Sequence, residues 1–141
     1  MAAENKEARF KELAEKYGLT KDDFHVETRG GKKIVTMTRS GIEKIEFQEG
    51  IKVEFDLIFF DQKERYVSLW VIAENKHGKK IRTTGESSPY NTQNKYPFAM
   101  AEKRGKARAI LQMTEFSSLG VYTEEDAEQN DIKANFDNSP L

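Results

Sequence analysis

One segment near the C-terminal end, PFAMAEKRGKARAILQMTEF (97–116), constrains the fold more than any other. Pro97 suits the first turn of a helix, and the spacing predicts a helix from there to about Phe116. At about 100° per residue, Phe98, Ala101, Gly105, Ala109 and Phe116 fall on one stripe. Met100, Ala107, Ile110 and Leu111 fall on a second, roughly opposite stripe, with Lys103, Arg104, Lys106 and Arg108 on the seams. A surface helix carries one apolar face, so a helix apolar on two sides is covered on two sides. One cover can be a sheet; the other can be an N-terminal helix or a neighbouring subunit. Gly105 costs about 1 kcal/mol relative to alanine in a helix, and the expected return is close approach of another backbone.

The sheet is legible upstream. Residues 51–61 (IKVEFDLIFFD) alternate, with Ile51, Val53, Phe55, Leu57 and Phe59 on one face and Lys52, Glu54 and Asp56 on the other. A turn at Gln62 to Glu64 leads to a strand over 65–74, and a turn at Lys76 to Lys79 leads to one over 80–84. Three strands with short connections make an antiparallel meander. A further strand is expected in KKIVTMT (32–38), introduced by Gly30 and Gly31. Residues 4–17 have helical spacing of Ala8, Leu13, Ala14 and Tyr17, with Gly18 as a stop. Ser40 can cap a short helical turn, with Glu43 at the capping-box position. The expected fold is α+β: an antiparallel β-meander of three to four strands, with an N-terminal helix and a long C-terminal helix packed on one face. It occupies residues 1–123 as a single domain, the length of 141 residues being that of one domain.

Charge divides the chain at the same place. The net charge is −1 overall, but residues 124–141 carry six carboxylates against Lys133, a net −5, which leaves the preceding body at +4. The acidic tail buries little apolar surface and is expected to be disordered. It serves solubility, or it competes with an anionic ligand for the basic body, or it docks a partner protein. There is no cysteine, hence no disulfide or thiolate site. The N-terminus has no signal-peptide pattern, and no apolar run approaches the roughly 20 residues of a membrane span. A cytoplasmic protein without membrane contact is the expectation.

Catalytic chemistry is sparse. His25 and His77 are isolated, so neither metal nor cofactor is expected. No phosphate-binding glycine loop or serine nucleophile motif occurs. Paired carboxylates such as Glu54 and Asp56 are the one route to an enzyme, a metal-dependent nuclease, and a solvated strand face is the commoner explanation of such a pair. The basic and aromatic residues suggest more. Lys32, Lys33 and Arg39 bracket the first strand, Lys80 and Arg82 occupy the last hairpin, and Lys103, Arg104 and Arg108 stud the helix. These clusters are read as lying on hairpin and helix flanks rather than among acids. Tyr66, Tyr90 and Tyr96 are candidates for stacking on unpaired bases.

The segment Lys103-Arg104, Ala107 to Leu111, Phe116, Leu119 to Tyr122 and Glu125-Asp126 resembles the end of the shared domain of single-strand annealing proteins. These are the Rad-type annealing mediators and the phage recombination proteins of the ERF kind. The order of elements is similar as well, and Gly85 resembles a glycine that precedes the helix in the phage members; Gly105 stands where alanine is usual. The resemblance implies an ATP-independent, non-enzymatic, phage-type protein that binds single-stranded DNA and anneals complementary strands in recombination and repair. It also implies a homo-oligomer, a ring or filament, and carries DNA contact over to Lys103, Arg104 and Arg108. The other reading is a structural or protein-interaction domain with an acidic docking tail and no nucleic-acid activity. Steep weakening by salt distinguishes phosphate binding from it.

Overall fold

The computed structural model describes residues 3–88 and 96–127, with side chains from residue 5 onward. Tyr90 and the sequence beyond Ala127, on which the tail's expected disorder bears, lie outside the described residues. The order is α1 (Ala3–Lys16), a 3-10 turn (Lys21–Asp23), β1 (Phe24–Arg29), β2 (Lys32–Met37), α2 (Arg39–Glu49), β3 (Lys52–Asp61), β4 (Tyr66–Glu74), β5 (Lys80–Ser87), α3 (Pro97–Met113) and β6 (Val121–Thr123). A single helical turn follows at 124–127. The protein is α+β, as its sequence pattern implies.

The meander is present as β3–β4–β5, antiparallel throughout. Its alternation breaks at a bulge between Leu57 and Phe59, where Ile58 is the extra residue. A bulge reverses the faces of everything after it. Phe59 therefore leaves the side of Phe55 and meets Tyr66 on the outer face, ring centroids 5.8 Å apart. Phe60 takes the inner face, 4.7 Å from Phe98 at the start of α3. The expected grouping of Phe59 with Val53, Phe55 and Leu57 is corrected by that one residue.

A second sheet, rather than a fourth strand on the first, holds β1–β2–β6. β1 and β2 form a hairpin across Gly30 and Gly31, both at positive φ, which glycine adopts without the Cβ clash. β1 escapes the hydrophobic pattern because FHVETR buries little: Val26 is exposed. β6 pairs parallel with β2 over three residues. The second helix is longer than a single turn, and its N-cap is Thr38, not Ser40. The Ser40 hydroxyl instead donates to Asp23 Oδ1 at 2.6 Å.

From Ala101 onward both stripes of α3 are covered within one chain. Ala101, Ala109 and Met113 face Val67, Leu69, Val71 and Ala73 of β4. Gly105 meets Gly85 of β5: a Cβ on Gly105 would stand 3.1 Å from Gly85 Cα and collide with Val71 Cγ2. The close approach expected of Gly105 is thus a glycine-on-glycine crossing. On the other side Ala107, Ile110 and Leu111 pack with Leu13, Tyr17, Met37, Ile42 and Ile45 from α1, β2 and α2. The second stripe therefore needs no neighbouring subunit. α3 ends at Met113, before Phe116. Phe116 is fully buried in this second core beside Phe10, Tyr17 and Phe24, not on the sheet-facing stripe.

Candidate nucleic-acid interface

The nine residues assigned from sequence do not form one surface. Lys80 and Arg82 alternate with Ile81 and Thr83, and by register they share the sheet face of Trp70 and Ile72, opposite α3. Lys80 lies 3.9 Å from Glu74, and the Arg82 guanidinium stacks 3.9 Å over the Trp70 ring. Glu54 and Asp56 of β3 occupy the same face. Acids are interspersed with these cations, so the expected segregation of basic clusters from acids does not hold here.

Lys32 and Lys33 are exposed at the far end of β2, about 15 Å along the strand from Met37. Tyr96, 69% exposed, is the N-cap residue of α3.

Arg104 and Arg108 turn inward, and the reason is the edge of β5. An edge strand presents carbonyls with no ladder partner. Arg104, 2% exposed, donates from Nη1 to the Glu86 carbonyl at 3.2 Å. Four residues later on the same helix face, Arg108 donates from Nη1 to the Thr84 carbonyl at 3.0 Å. Arg108 also reaches both Glu86 carboxylate oxygens at 2.6 Å and Asp126 at 2.6 to 3.1 Å. The hydrogen bonds it donates to Glu86, and then to Asp126, push its pKa up against the opposing effect of burial, fixing the positive charge. These two arginines are cross-braces between α3 and β5. Both residues assigned to DNA contact from the sequence are thus committed to partners within the fold, Arg104 2% exposed and the Arg108 side chain 18%.

What the structure does bring together is a cleft of about 440 Å³ between α2, α3, β3 and the turn after β6. Its floor is apolar, formed by Met37, Ile42, Phe55, Ala99 and Ala107. Its cations are Arg39, Lys103 and Lys106, and its carboxylates are Glu43, Glu102, Glu124 and Glu125. Arg39 Nε meets Glu43 at 2.8 Å and Lys106 Nζ meets Glu46 at 2.6 Å. Lys103 Nζ lies 3.3 Å from Glu125. The Arg39 and Lys103 side chains are 78% and 53% exposed; the Arg39–Glu43 pair sits in water, while Lys103 reaches from solvent to a buried Glu125, so both cations are open to exchange. Lys106, which the seam position on α3 places beside Lys103, joins the site; the signal for it was the same basic run.

Beyond Ala99, the first turn of α3 and the end of β3 leave a ridge of large apolar residues in solvent. Leu57, Ile58, Phe59, Phe60, Tyr66 and Phe98 are all 39 to 58% exposed. β3 is also an edge strand of its sheet among the described residues. Four consecutive apolar residues here are not a core strand: Leu57 to Phe60 are each 40 to 58% exposed.

Among the described residues no group of three histidine or acidic side chains is placed to hold a metal ion, and no helix is long and apolar enough to cross a membrane. No family model matches the chain, and no curated protein matches it significantly.

Proposed function

We propose that this protein binds single-stranded DNA and anneals complementary strands without ATP, as a phage-type recombination and repair protein of the cytoplasm. One observation carries the reading: a cleft with an apolar floor rimmed by exchangeable cations, in a protein whose α3 also carries exposed aromatic residues at its start. Arg39, Lys103 and Lys106 are suited to the phosphodiester backbone, with counterion release supplying affinity. Tyr96 and Phe98 are suited to stacking on unpaired bases, at roughly 1–3 kcal/mol per base. Annealing needs no bond chemistry, only strands held with their pairing edges accessible. The exposed apolar residues at the end of β3 support self-association, since apolar side chains on both faces of an open strand edge are stabilised by covering them with a second copy.

The test is fluorescence anisotropy with an unpaired oligonucleotide at low and moderate salt, with Lys103→Gln and Arg39→Gln beside the wild type. Binding that weakens steeply with salt is expected, each substitution lowering the salt slope by about one. No binding at low salt removes the reading. The ridge favours the second reading, a protein-interaction domain without nucleic-acid activity, if Phe59→Glu abolishes assembly in a protein that binds no oligonucleotide.

A further inference from the structure

Three consecutive carboxylates after β6 each meet a basic residue assigned to DNA from the sequence. Glu124 Oε1 accepts the backbone N–H of Arg39 at 2.7 Å. Glu125 Oε1 lies 3.3 Å from Lys103 Nζ, and Asp126 holds Arg108. Glu124 and Glu125 both line the cleft, where four carboxylates oppose three cations, a net charge of −1. A polyanion is repelled from the cleft in this arrangement. Without those two carboxylates the same walls carry +1.

We propose that Glu124 and Glu125 are built-in competitors for the strand's phosphates: single-stranded DNA enters the cleft by displacing their carboxylates from Arg39 and Lys103. The proposal rests on the nucleic-acid reading above and specifies how that site is regulated. The backbone of the turn is anchored on both sides, so the displacement is one of side chains. Thr123 pairs with Met37 in the sheet, and its hydroxyl accepts the N–H of Asp126 at 3.0 Å. At the far end the Ala127 carbonyl accepts from Arg29 at 3.1 Å. Asp126, on a largely buried Arg108, stays in place, whereas Glu124 is exposed and holds only a backbone N–H at the start of α2, and Glu125, itself buried, meets a Lys103 whose side chain is 53% exposed. A contact open to solvent on at least one side is weak enough for a phosphate to exchange with the carboxylate. Such a cleft discriminates: a single anion gains little by exchange, whereas a chain of phosphates replaces both carboxylates at once and adds contacts beyond them.

The experiment uses the full chain as wild type, Glu124→Gln, Glu125→Gln and Lys103→Gln, with anisotropy of an unpaired oligothymidylate at low salt. Each glutamine variant is expected to bind roughly three- to tenfold more tightly than wild type, and Lys103→Gln more weakly. If wild type binds while both glutamine variants bind equally or more weakly, the competitor role is overturned and DNA binding stands. If none of the four proteins binds, both readings fall. Glu125 is buried, so circular dichroism checks its variant's fold; the exposed Glu124→Gln decides the matter alone if Glu125→Gln does not fold.

Discussion

At the crossing of α3 over β5, two residues without side chains determine how close the helix can come. A Cβ on Gly85 would overlap the Ala101 carbonyl oxygen and stand 2.9 Å from Gly105 Cα, both backbone atoms that cannot rotate away. A Cβ on Gly105 would meet Val71 Cγ2, the end of a side chain, though one fully buried. Helix propensity favours Gly105→Ala by about 1 kcal/mol, while overpacking a tight core costs roughly 1–3 kcal/mol. Packing is expected to win at both sites, and by more at Gly85. Urea unfolding should rank stability as wild type, then Gly105→Ala, then Gly85→Ala; a Gly105→Ala protein more stable than wild type would show that the helix can lift off the sheet at no cost. The propensity cost of Gly105 is visible in the sequence and correctly signals a close backbone approach. Its partner is not, because Gly85 lies twenty residues away inside a strand, where a glycine carries no propensity signal pointing to a helix.

Elements with strong local periodicity are those the sequence makes plain: α1, the three strands of the meander, and α3 all occur near where their patterns place them, although β5 runs past residue 84 to Ser87 and α3 stops at Met113 instead of Phe116. Elements set by tertiary pairing are not. β6 is three residues long and exists because β2 offers a parallel edge. β1 is short and carries only two apolar residues, Phe24 and Val26, of which Val26 is exposed, so it gives the sequence pattern little to show. The bulge at Ile58 leaves no mark on composition, yet it sends Phe59 and Phe60 to opposite faces. The arginines of α3 fail for a related reason. A basic residue on a helix seam looks alike from sequence whether it reaches solvent or satisfies a strand edge, and only β5's position decides. For Arg108, with its side chain 18% exposed between Glu86 and Asp126, replacement by alanine leaves two carboxylates and the Thr84 carbonyl without their donor. A loss of about 2–4 kcal/mol is expected, read as a lower midpoint in urea, with Arg108→Lys restoring only part because a single ammonium cannot span both carboxylates and the carbonyl. A variant with an unchanged midpoint would refute the brace. An oligonucleotide-binding defect in Arg104 or Arg108 variants therefore reports the fold, and Arg39 and Lys103 carry the functional test.

Over the whole molecule, the boundary between basic body and acidic tail falls in a different place from the one composition suggests. Glu124 to Asp126 belong to the fold, and Ala127 is buried, so the charge segregation legible in the sequence becomes, at the cleft, a set of contacts. The same pattern recurs elsewhere: carboxylates tie together segments distant in the chain. Asp23, 1% exposed, accepts from Thr20 N–H, Ser40 Oγ and Lys44 Nζ, joining the 3-10 turn to α2. Burial pushes its carboxyl up, but those three donors together outweigh it and hold the pKa below its ordinary 3.8. Glu115, at the end of α3, is held below 4.5 chiefly by the hydrogen bond from Arg9 of α1, and Glu27 by that from Arg29. A carboxylate with a depressed folded pKa contributes stability above its unfolded pKa and loses it as pH falls through the folded value. The melting temperature is therefore expected to stay level from about pH 8 to pH 5 and to drop below about pH 4. Asp23 should dominate that acid limb because its carboxylate is itself buried, the side chain 2% exposed against 40% for Glu27 and 53% for Glu115, whose exposed pairs contribute little. Asp23→Asn should lower stability at pH 7 by about 1–3 kcal/mol and flatten the acid limb, since the group whose protonation unfolds the native state is gone. Thermal melts of both proteins from pH 3 to pH 8 check this: a variant whose curve runs parallel to wild type at every pH would place the acid sensitivity elsewhere in the molecule.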